Sequence, residues 1–321
     1  MDLETLVDDE RTSLVLEAID NQSFRRVIEH LKIYSFWDGA EGTPRLWEHQ
    51  QVAIGTVVAY LNGDKAIPER PEHKEASLLK LPTGTGKSGI VAVLARCLPD
   101  VRRVLVLTPR TALVEQLIAD ISYRFWNHVG YQVEVTAPFV GDANTTGRAL
   151  DDVYVEQFLP SSVRQVAEHL DEDDVDRAIL IGTHQALSTV RKKADDSGEP
   201  DAVICQAILA EIRDHFDLVI VDEGHYEPAI SWSRGVREFN LPTLLLSATP
   251  YRNDYKSFRV RGRYLFNFSY EQAVDRRIIR SAEIIFSELD PEQEHQNSVT
   301  TFVGILQREL PGRHFHRNKN A

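Results

Sequence analysis

Short, almost continuous apolar runs recur along the middle of the chain. They are SLLKL (77–81), RVLVLT (103–108), AILIG (178–182), LVIVD (218–222) and TLLLS (243–247). Apolar runs of this length, bounded by polar turns, are typical of strands that are buried on both faces of a parallel sheet. The pattern therefore predicts a core of parallel strands.

Helical patterns lie between these runs. Apolar positions recur at helical spacing over residues 87–98 and 111–126. Strands and helices in alternation predict an α/β fold with a mainly parallel, doubly wound sheet. Two polar segments, 136–177 and 191–201, interrupt the alternation and are predicted to be surface insertions.

The first part of the chain is predicted to be a helical extension. Residues 1–38 show helical spacing of apolar positions, and the turn-rich segment DGAEGTP (38–44) ends the pattern. A second helical pattern runs over residues 46–61. We therefore place a boundary after residue 44, and we assign no chemistry to the extension.

Composition excludes several classes of protein. Hydrophobic residues make up 42% of the 321 residues and charged residues 26%, as in ordinary globular proteins. The N-terminus is acidic and no run approaches 18 apolar residues, so we expect a cytoplasmic protein that makes no membrane contact. The two cysteines, Cys97 and Cys205, form no CxxC pair, which argues against a zinc site or a disulfide framework. The net charge of −13 argues against bulk electrostatic coating of nucleic acid but permits a local basic groove.

The first apolar run leads into LPTGTGKSG (81–89), which predicts a phosphate-binding loop. Glycines allow a tight turn whose amide hydrogens point at phosphate oxygens, while Lys87 reaches the β and γ phosphates and Ser88 offers a hydroxyl to Mg²⁺. Leu81 stands where the full pattern has glycine, and a glycine-rich turn without function is the alternative. The predicted nucleotide-binding residues of the loop are Thr83, Gly84, Thr85, Gly86, Lys87 and Ser88.

The run LVIVD ends in two adjacent acids, Asp222 and Glu223. Because the carboxyl ends of parallel strands bind ligands, both acids are expected at the same edge as the phosphate loop. Asp222 is predicted to hold Mg²⁺ and Glu223 to orient the water that attacks the γ-phosphorus. His225 is expected to point away from the metal, toward groups that sense the nucleotide. A simple helix cap is the alternative for the acid pair.

Five segments together resemble the ordered motifs I, Ia, Ib, II and III of superfamily 2 helicases and translocases. They are PTGTGKS (82–88), TPRTALVEQ (108–116), GTHQAL (182–187), DEGH (222–225) and SATP (247–250). The resemblance covers about residues 45–250, and SATPYRND is similar to the branch that contains the motor subunits of type I and type III restriction enzymes. It implies a RecA-like P-loop NTPase domain that uses ATP and Mg²⁺. Its catalytic residues would be Lys87, Asp222, Glu223 and His225.

The same resemblance implies contacts with one nucleic-acid strand. Two strand ends would supply them through backbone amides, hydroxyls and a guanidinium. Taken alone, Thr183 and His184 are better explained as a helix cap and a satisfied polar side chain. The implied nucleic-acid residues are Thr108, Pro109, Arg110, Thr111, Gly182, Thr183 and His184.

Further roles follow from the resemblance alone. Ser247 and Thr249 would couple nucleotide state to grip on the strand. LWEHQQVAI (46–54) resembles the adenine-recognising Q motif, with Gln50 as the reader and Gln51 as a rival. Trp47 occupies the place where that motif often has arginine.

The region after the last motif is expected to lead out of the domain. RVRGR (259–263) is predicted to be a basic surface loop, followed by a strand at RYLFNFS and a short helix at YEQAVDRRIIR. About forty residues after position 280 are too few for a second motor domain. We therefore expect three segments: a helical extension (1–44), a RecA-like ATP-binding domain (45–275) and a connector (276–321) toward a second RecA-like domain supplied in cis or in trans.

These observations predict the ATP-binding and hydrolysing lobe of a superfamily 2 helicase or translocase, truncated before its second motor domain. DNA is favoured over RNA as the partner because the restriction-like branch acts on DNA. One alternative is a translocase subunit of a restriction or antiviral complex that does not separate strands. The other is a non-catalytic, ATP-gated scaffold that binds nucleic acid.

Overall fold

The computed structural model describes residues 22–37, 44–63, 76–131, 153–171, 175–223, 235–236, 238–248 and 260–280. Every element below lies within residues 1–278, one of the two compact units of the chain. The predictions made for residues 1–21, for His225 and Thr249, and for the connector beyond residue 280 lie outside the described part.

A seven-stranded sheet forms the centre of the described chain, in the order β3-β4-β2-β5-β6-β1-β7. Every pair of neighbouring strands is parallel. The strands are β1 Ala76–Lys80, β2 Arg103–Thr108, β3 Tyr154–Phe158, β4 Ala178–Thr183, β5 Leu218–Val221, β6 Thr243–Ser247 and β7 Val260–Asn267. The predicted α/β architecture with a parallel sheet is confirmed.

Helices connect and cover these strands. They are α1 Gln22–Leu31, α2 Glu48–Gly63, α3 Lys87–Cys97, α4 Thr111–Ala119, α5 Phe125–His128, α6 Val163–Leu170, α7 His184–Asp195, α8 Ala202–His215 and α9 Tyr270–Asp275. A π-helical segment, Asp120–Arg124, joins α4 to α5 without a break. The helices predicted over 46–61, 87–98 and 111–126 are present, and α1 confirms helix within residues 22–31 of the predicted extension.

Both faces of the sheet are buried. Side chains alternate between the two faces of a strand, yet all four residues from Val104 to Leu107 in β2 are fully buried. On one face, the strands pack with α6, α7 and α8 in a single apolar cluster. On the other face lie α2, α3 and α4, of which α3 is buried over most of its length. Each aliphatic side chain removed from water in this way contributes about 1.5–3 kcal/mol.

The prediction of a surface insertion over 136–177 is wrong for residues 153–171. These residues form β3, which pairs with β4 at one edge of the sheet, and α6, which covers it. Polar side chains hid the strand, since Glu156 and Gln157 interrupt its apolar positions. Glu156 is buried all the same, and its carboxylate accepts a hydrogen bond from the backbone N–H of Gln157 at 3.0 Å. Burial raises the pKa of Glu156.

The prediction of a surface loop at RVRGR is also wrong from Val260 onward. The strand predicted at RYLFNFS begins earlier than expected, and Val260–Asn267 forms β7, which pairs with β1. β7 is the last strand of the sheet, and edge strands often carry basic residues without disrupting the sheet. Charge was therefore a misleading indicator at this position.

A buried arginine supports the π-helical segment. The guanidinium of Arg96, on α3, donates hydrogen bonds to the carbonyls of Ile121 at 3.1 Å and Ser122 at 3.3 Å. The indole Nε1 of Trp126 donates to the same Ile121 carbonyl at 2.6 Å. These donors satisfy carbonyls whose bonding is irregular in a π-helix, which explains how the distorted turn is tolerated in a buried position.

An aromatic cluster joins the N-terminal residues to α5. Phe36 lies at ring-centroid distances of 5.5 Å from Trp126, 6.4 Å from Phe125 and 5.7 Å from Tyr131. Tyr34 stacks on Phe36 at 5.2 Å. Pairs at such distances contribute about 0.5–1.5 kcal/mol each beyond the area that they bury. The described part of the extension is therefore packed against the α/β core.

Two glycine substitutions should change stability in opposite directions. A Cβ on Gly182 would lie 2.9 Å from the carbonyl oxygen of Phe158 in β3, whereas a Cβ on Gly55 in α2 would meet no atom within 4 Å. We expect Gly182→Ala to lower the free energy of unfolding by about 1–3 kcal/mol through overpacking. Gly55→Ala should raise it by about 0.5–1 kcal/mol because alanine favours helix. Urea unfolding of both variants measures this, and a Gly182→Ala variant as stable as the wild type would contradict it.

Candidate nucleotide site and nucleic-acid edge

The five motif segments follow five neighbouring strands, at the carboxyl edge of the sheet. Across this edge their strands lie in the order β4, β2, β5, β6 and β1. Thr108 is opposite Thr183, and Lys80 is opposite Ser247. Two backbone hydrogen bonds continue the pairing beyond the strands, from Asp222 N–H to the Leu107 carbonyl and from Leu81 N–H to the Ser247 carbonyl, both at 2.9 Å.

The phosphate loop is a tight turn between β1 and α3. Gly84 and Gly86 have φ values of 86° and 76°, in the left-handed region that glycine adopts without strain. Gly86 is the N-cap of α3 and supplies no side-chain cap, so the first amides of the helix remain directed at the loop. The hydroxyl of Thr85 closes the turn by donating to the Pro82 carbonyl at 2.7 Å. This geometry suits an anion such as a phosphate chain.

Lys87 and Glu223 form an ion pair at the end of this loop. The ammonium Nζ lies 3.0 Å from the carboxylate Oε1, and the two side chains are 10% and 20% exposed. The ammonium makes no well-aligned hydrogen bond, so the contact is chiefly electrostatic. Glu223 has a φ of 50°, a left-handed conformation that costs an ordinary residue about 1 kcal/mol or more. Strain of this kind is common at functional sites.

Asp222 is a buried acid beside this pair. Burial, reinforced by the charge of Glu223, raises its pKa to about 6, although the Lys87 ammonium opposes the shift. Its Oδ1 is buried and has no hydrogen-bond partner. An unsatisfied carboxylate oxygen next to a phosphate loop is suited to a hard cation such as Mg²⁺. Among the described residues no group of three or more acidic, histidine or cysteine side chains could hold a metal, so such an ion would need phosphate and water oxygens as further ligands.

The start of α2 holds the phosphate loop from outside. The Gln50 amide donates to the Gly86 carbonyl at 3.0 Å, and its carbonyl accepts the backbone N–H of Trp47 at 2.9 Å. The predicted adenine reader is therefore bonded at both ends to backbone. The rival Gln51 turns the other way and donates to the Trp37 carbonyl.

His49 is a second tether that sequence reasoning missed. Its Nε2 lies 2.8 Å from the Thr85 carbonyl, and its ring stacks on Phe268 at 4.5 Å. Burial lowers the pKa of His49, which favours the neutral ring. Nε2 donates in this contact, because a carbonyl oxygen can only accept. Next to His49, the carboxylate of Glu48 forms an ion pair with the guanidinium of Arg276, with an N–O distance of 2.9 Å. His49, like Gln50, contacts a backbone atom of the loop, and no sequence motif encodes a contact of that kind.

A cavity of about 230 Å³ opens beside the loop. Ser88 and Gly89 of α3 contribute to its lining, together with Trp47 and Gln50 from the α2 side. Arg45 and Gly86 also line it. The rest of the lining comes from the π-helical segment, from α5 and from the residue after α5, namely Asp120, Arg124, Phe125, His128 and Val129.

The residues predicted to touch nucleic acid fall into two groups. Arg110 and Thr111 are exposed, at the start of α4. Thr108 is fully buried and its hydroxyl has no hydrogen-bond partner, while Pro109 is half-buried. Arg110 is thus the predicted contact with a guanidinium at the surface.

The β4 end has structural roles of its own. The Thr183 side chain caps α7 by accepting the Ala186 N–H at 3.0 Å. His184 is buried, which lowers its pKa to about 3, so it carries no positive charge at neutral pH. Gly182 is required for the close approach of β3. Ser247, predicted to couple nucleotide and strand, is fully buried between β1 and β5 neighbours.

Comparison with known proteins places these features in a family. Residues 43–252 match the family model described as "Type III restriction enzyme, res subunit". No curated protein matches the sequence significantly. No described helix has the length and apolar character that a membrane crossing requires.

Three solved structures that match the chain have low sequence identity and TM-scores below 0.5. A nuclease-deletion mutant of the Type ISP restriction-modification enzyme LlaGI, in complex with a DNA substrate mimic, is 18% identical with a TM-score of 0.46, over 73% of this chain and 21% of that one. The Hef helicase domain of Pyrococcus furiosus is 17% identical, with a TM-score of 0.42, and the match covers 70% of this chain and 41% of that one. RecG bound to a three-way DNA junction is 15% identical, with a TM-score of 0.38, and the match covers 84% of this chain and 31% of that one. The chain thus spans less than half the length of each.

Replacing Asp222 should stabilise the fold near neutral pH. Its pKa is about 6 in the folded chain and 3.8 ordinarily, so its ionisation opposes folding above pH 6, and this penalty disappears as the pH falls toward 4. We expect Asp222→Asn to raise the free energy of unfolding at pH 8 by on the order of 1 kcal/mol, with a smaller gain at pH 5.

Urea unfolding at both pH values measures the effect. Glu168→Gln, which replaces an exposed carboxylate on α6, is the control and should change stability by less than about 0.5 kcal/mol at either pH. If Asp222→Asn were less stable than the wild type at pH 8, the prediction would be wrong, because the ionised carboxylate would then stabilise the fold.

Proposed function

The chain belongs to the family of type III restriction enzyme res subunits, and we propose that it is the ATP-binding and hydrolysing lobe of a nucleic-acid-dependent superfamily 2 motor. DNA is the favoured partner, because restriction enzymes of this family act on DNA. The observation that carries the proposal is the Lys87–Glu223 ion pair, formed at the phosphate loop beside the buried Asp222.

The residues of this site suit phosphoryl transfer. The loop amides and Lys87 would bind the phosphate chain, and Lys87 would leave Glu223 as it does so. The released Glu223 carboxylate would accept a proton from the attacking water and hold that water in line. Ser88 and Asp222 would hold Mg²⁺, which neutralises charge on the phosphate oxygens. Ionised Asp222 is required for that role, so binding of Mg-ATP should weaken as the pH falls below about 6.

The strand ends beside this site would contact nucleic acid. β2 lies between β4 and β5, so the exposed Arg110 after β2 is one strand away from the acid pair. A guanidinium at that position can bind a backbone phosphate without reading sequence. The short path between Arg110 and Asp222, through the Leu107 carbonyl, offers a route by which nucleotide and strand binding could be coupled.

Catalysis would be completed by a second RecA-like domain, in cis or in trans. The proposed layout is a helical extension (1–44), the ATP-binding domain (45–275) and a connector (276–321). An arginine supplied across the domain interface raises phosphoryl-transfer rates by several orders of magnitude. We therefore infer weak binding of Mg-ATP and slow turnover by this chain alone.

Translocation without strand separation, as part of a restriction or antiviral complex, is the second candidate. The family match favours it, since the matched model describes a restriction enzyme subunit. A non-catalytic scaffold is disfavoured because Lys87, Asp222 and Glu223 are all present and adjacent.

ATP binding and turnover with two substitutions test the proposal. Lys87→Ala should abolish binding of Mg-ATP, while Glu223→Gln should retain binding and lower turnover by at least about 100-fold, because it removes the proton acceptor. Lys192→Ala, which removes an exposed lysine of α7, is the matched control and should leave both unchanged. Calorimetry measures the binding of Mg-ATP. The rate of ATP hydrolysis is measured with and without single- and double-stranded DNA or RNA.

Two results would contradict the proposal. If the affinity for Mg-ATP did not depend on Lys87, the nucleotide would not bind at the proposed phosphate loop. Strong strand separation by the purified chain would show that no second domain is required.

A further inference from the structure

Thr108 is a buried polar residue whose side chain has no assigned role. The residue is 0% exposed, and its hydroxyl makes no hydrogen bond. The nearby Arg110 and Thr111 are exposed, whereas any contact of Thr108 with a nucleic-acid strand would have to be made by its backbone. A buried hydroxyl without a partner costs free energy, and native structures contain few of them. The hydroxyl of Thr108 therefore calls for an explanation.

Strand pairing brings Thr108 level with Asp222. Leu107 in β2 is opposite Val221 in β5, and the N–H of Asp222 donates to the Leu107 carbonyl at 2.9 Å. This bond continues the pairing by one residue, from Leu107 and Val221 to Thr108 and Asp222. Neighbouring strands lie about 4.8 Å apart, so side chains at the same level can reach each other when they share a face.

Thr108 and Asp222 share the face of the sheet that α3 covers. Leu107 and Val221 belong to the apolar cluster that α6, α7 and α8 form on the other face. Because successive side chains of a strand alternate between faces, the residues that follow them are directed to the α3 face. The helix α3 begins at Lys87. The Thr108 hydroxyl thus lies on the side of the sheet where the nucleotide phosphates are proposed to bind.

The two side chains carry complementary atoms. Oδ1 of Asp222 is buried and, like Oγ1 of Thr108, has no hydrogen-bond partner. A hydroxyl can donate and an ionised carboxylate only accepts, so each atom lacks what the other supplies. Rotation about χ1 exchanges the hydroxyl of threonine with its methyl group, which turns the donor with little change in packing. A bond from a hydroxyl to a carboxylate is about twice as strong as one between neutral groups.

We propose that Thr108 is a positioning residue for Asp222. In the nucleotide complex, its hydroxyl donates to the Asp222 carboxylate and holds that group in the orientation that binds the cation. A carboxylate offers about four lone-pair sites, so it accepts this bond and still binds a metal ion. The inference rests on the proposed function, because it assumes that Mg²⁺ enters with the phosphate chain. Thr108 itself touches neither the nucleotide nor the reacting atoms.

The test measures how strongly ATP binding depends on Mg²⁺. Calorimetry on the full chain gives the ATP affinity in EDTA and at increasing Mg²⁺ concentrations. Thr108→Val should raise the Mg²⁺ concentration that gives half of the full gain in affinity by at least about tenfold, the lower end of the loss when a group that orients a metal ligand is removed. Its ATP affinity in EDTA should equal that of the wild type. Thr108→Ser keeps the hydroxyl and should retain the wild-type dependence on Mg²⁺.

Urea unfolding without nucleotide distinguishes positioning from a structural role. The Thr108 hydroxyl is unsatisfied in the chain alone, so Thr108→Val should have a urea midpoint equal to or above that of the wild type. The matched control is Thr243→Val. Thr243 is also buried, but it begins β6 at the amino edge of the sheet, and its hydroxyl donates to the Leu241 carbonyl at 3.1 Å. This variant should lower the urea midpoint and leave the Mg²⁺ dependence unchanged.

The outcomes separate the inference from the proposed function. If ATP binding does not depend on Lys87, the proposed function fails. If ATP binds through Lys87 but responds to Mg²⁺ equally in Thr108→Val and the wild type, or responds to Mg²⁺ in neither, the phosphate loop stands and the positioning inference is wrong. A lower urea midpoint in Thr108→Val, or the same loss of Mg²⁺ dependence in Thr108→Ser, would also overturn the inference.

Discussion

Parallel strand direction is the constraint on which the rest of this molecule depends. Because all neighbouring strands in the described sheet run the same way, each one ends at the same edge, and each of five consecutive strand ends carries a polar segment there. Parallel sheets need cover on both faces, and the buried aliphatic residues of β2 show how completely that cover is supplied. The apolar layers therefore provide the stability, which leaves the edge available for charged groups.

That edge holds charges which a structure selected only for stability would avoid. Asp222 is buried with its pKa raised to about 6, and Glu223 is held in a left-handed conformation next to Lys87. Each feature costs free energy in the protein alone, and the proposed binding of a phosphate chain and a cation would offset the cost of the buried charge on Asp222. If the proposed function holds, nucleotide should therefore stabilise the chain against unfolding.

Much of this arrangement could be predicted from the sequence. Buried aliphatic runs such as LVIV identified the central strands, and GTGKS followed by an acid pair identified the edge. The edge strands were harder to predict, because an edge strand does not need two apolar faces. Glu156 and Gln157 hid β3, whereas the strand predicted at RYLFNFS is the later part of β7 and the arginines of RVRGR hid only its first residues. The roles of His49 and Gln50 were hidden for another reason. Both bond to backbone carbonyls of the loop, and such partners depend on tertiary packing that no local pattern encodes.

The aromatic cluster has a consequence for where the working unit begins. The family match starts at residue 43, yet Phe36 lies before that point and packs on Phe125 and Trp126. Phe125 in turn lines the cavity beside the phosphate loop. A chimera that takes only residues 43–252 would leave this cavity wall without its backing. Substitutions at Phe36 should therefore be tolerated only with compensating substitutions in α5. The two segments are expected to co-vary among related sequences.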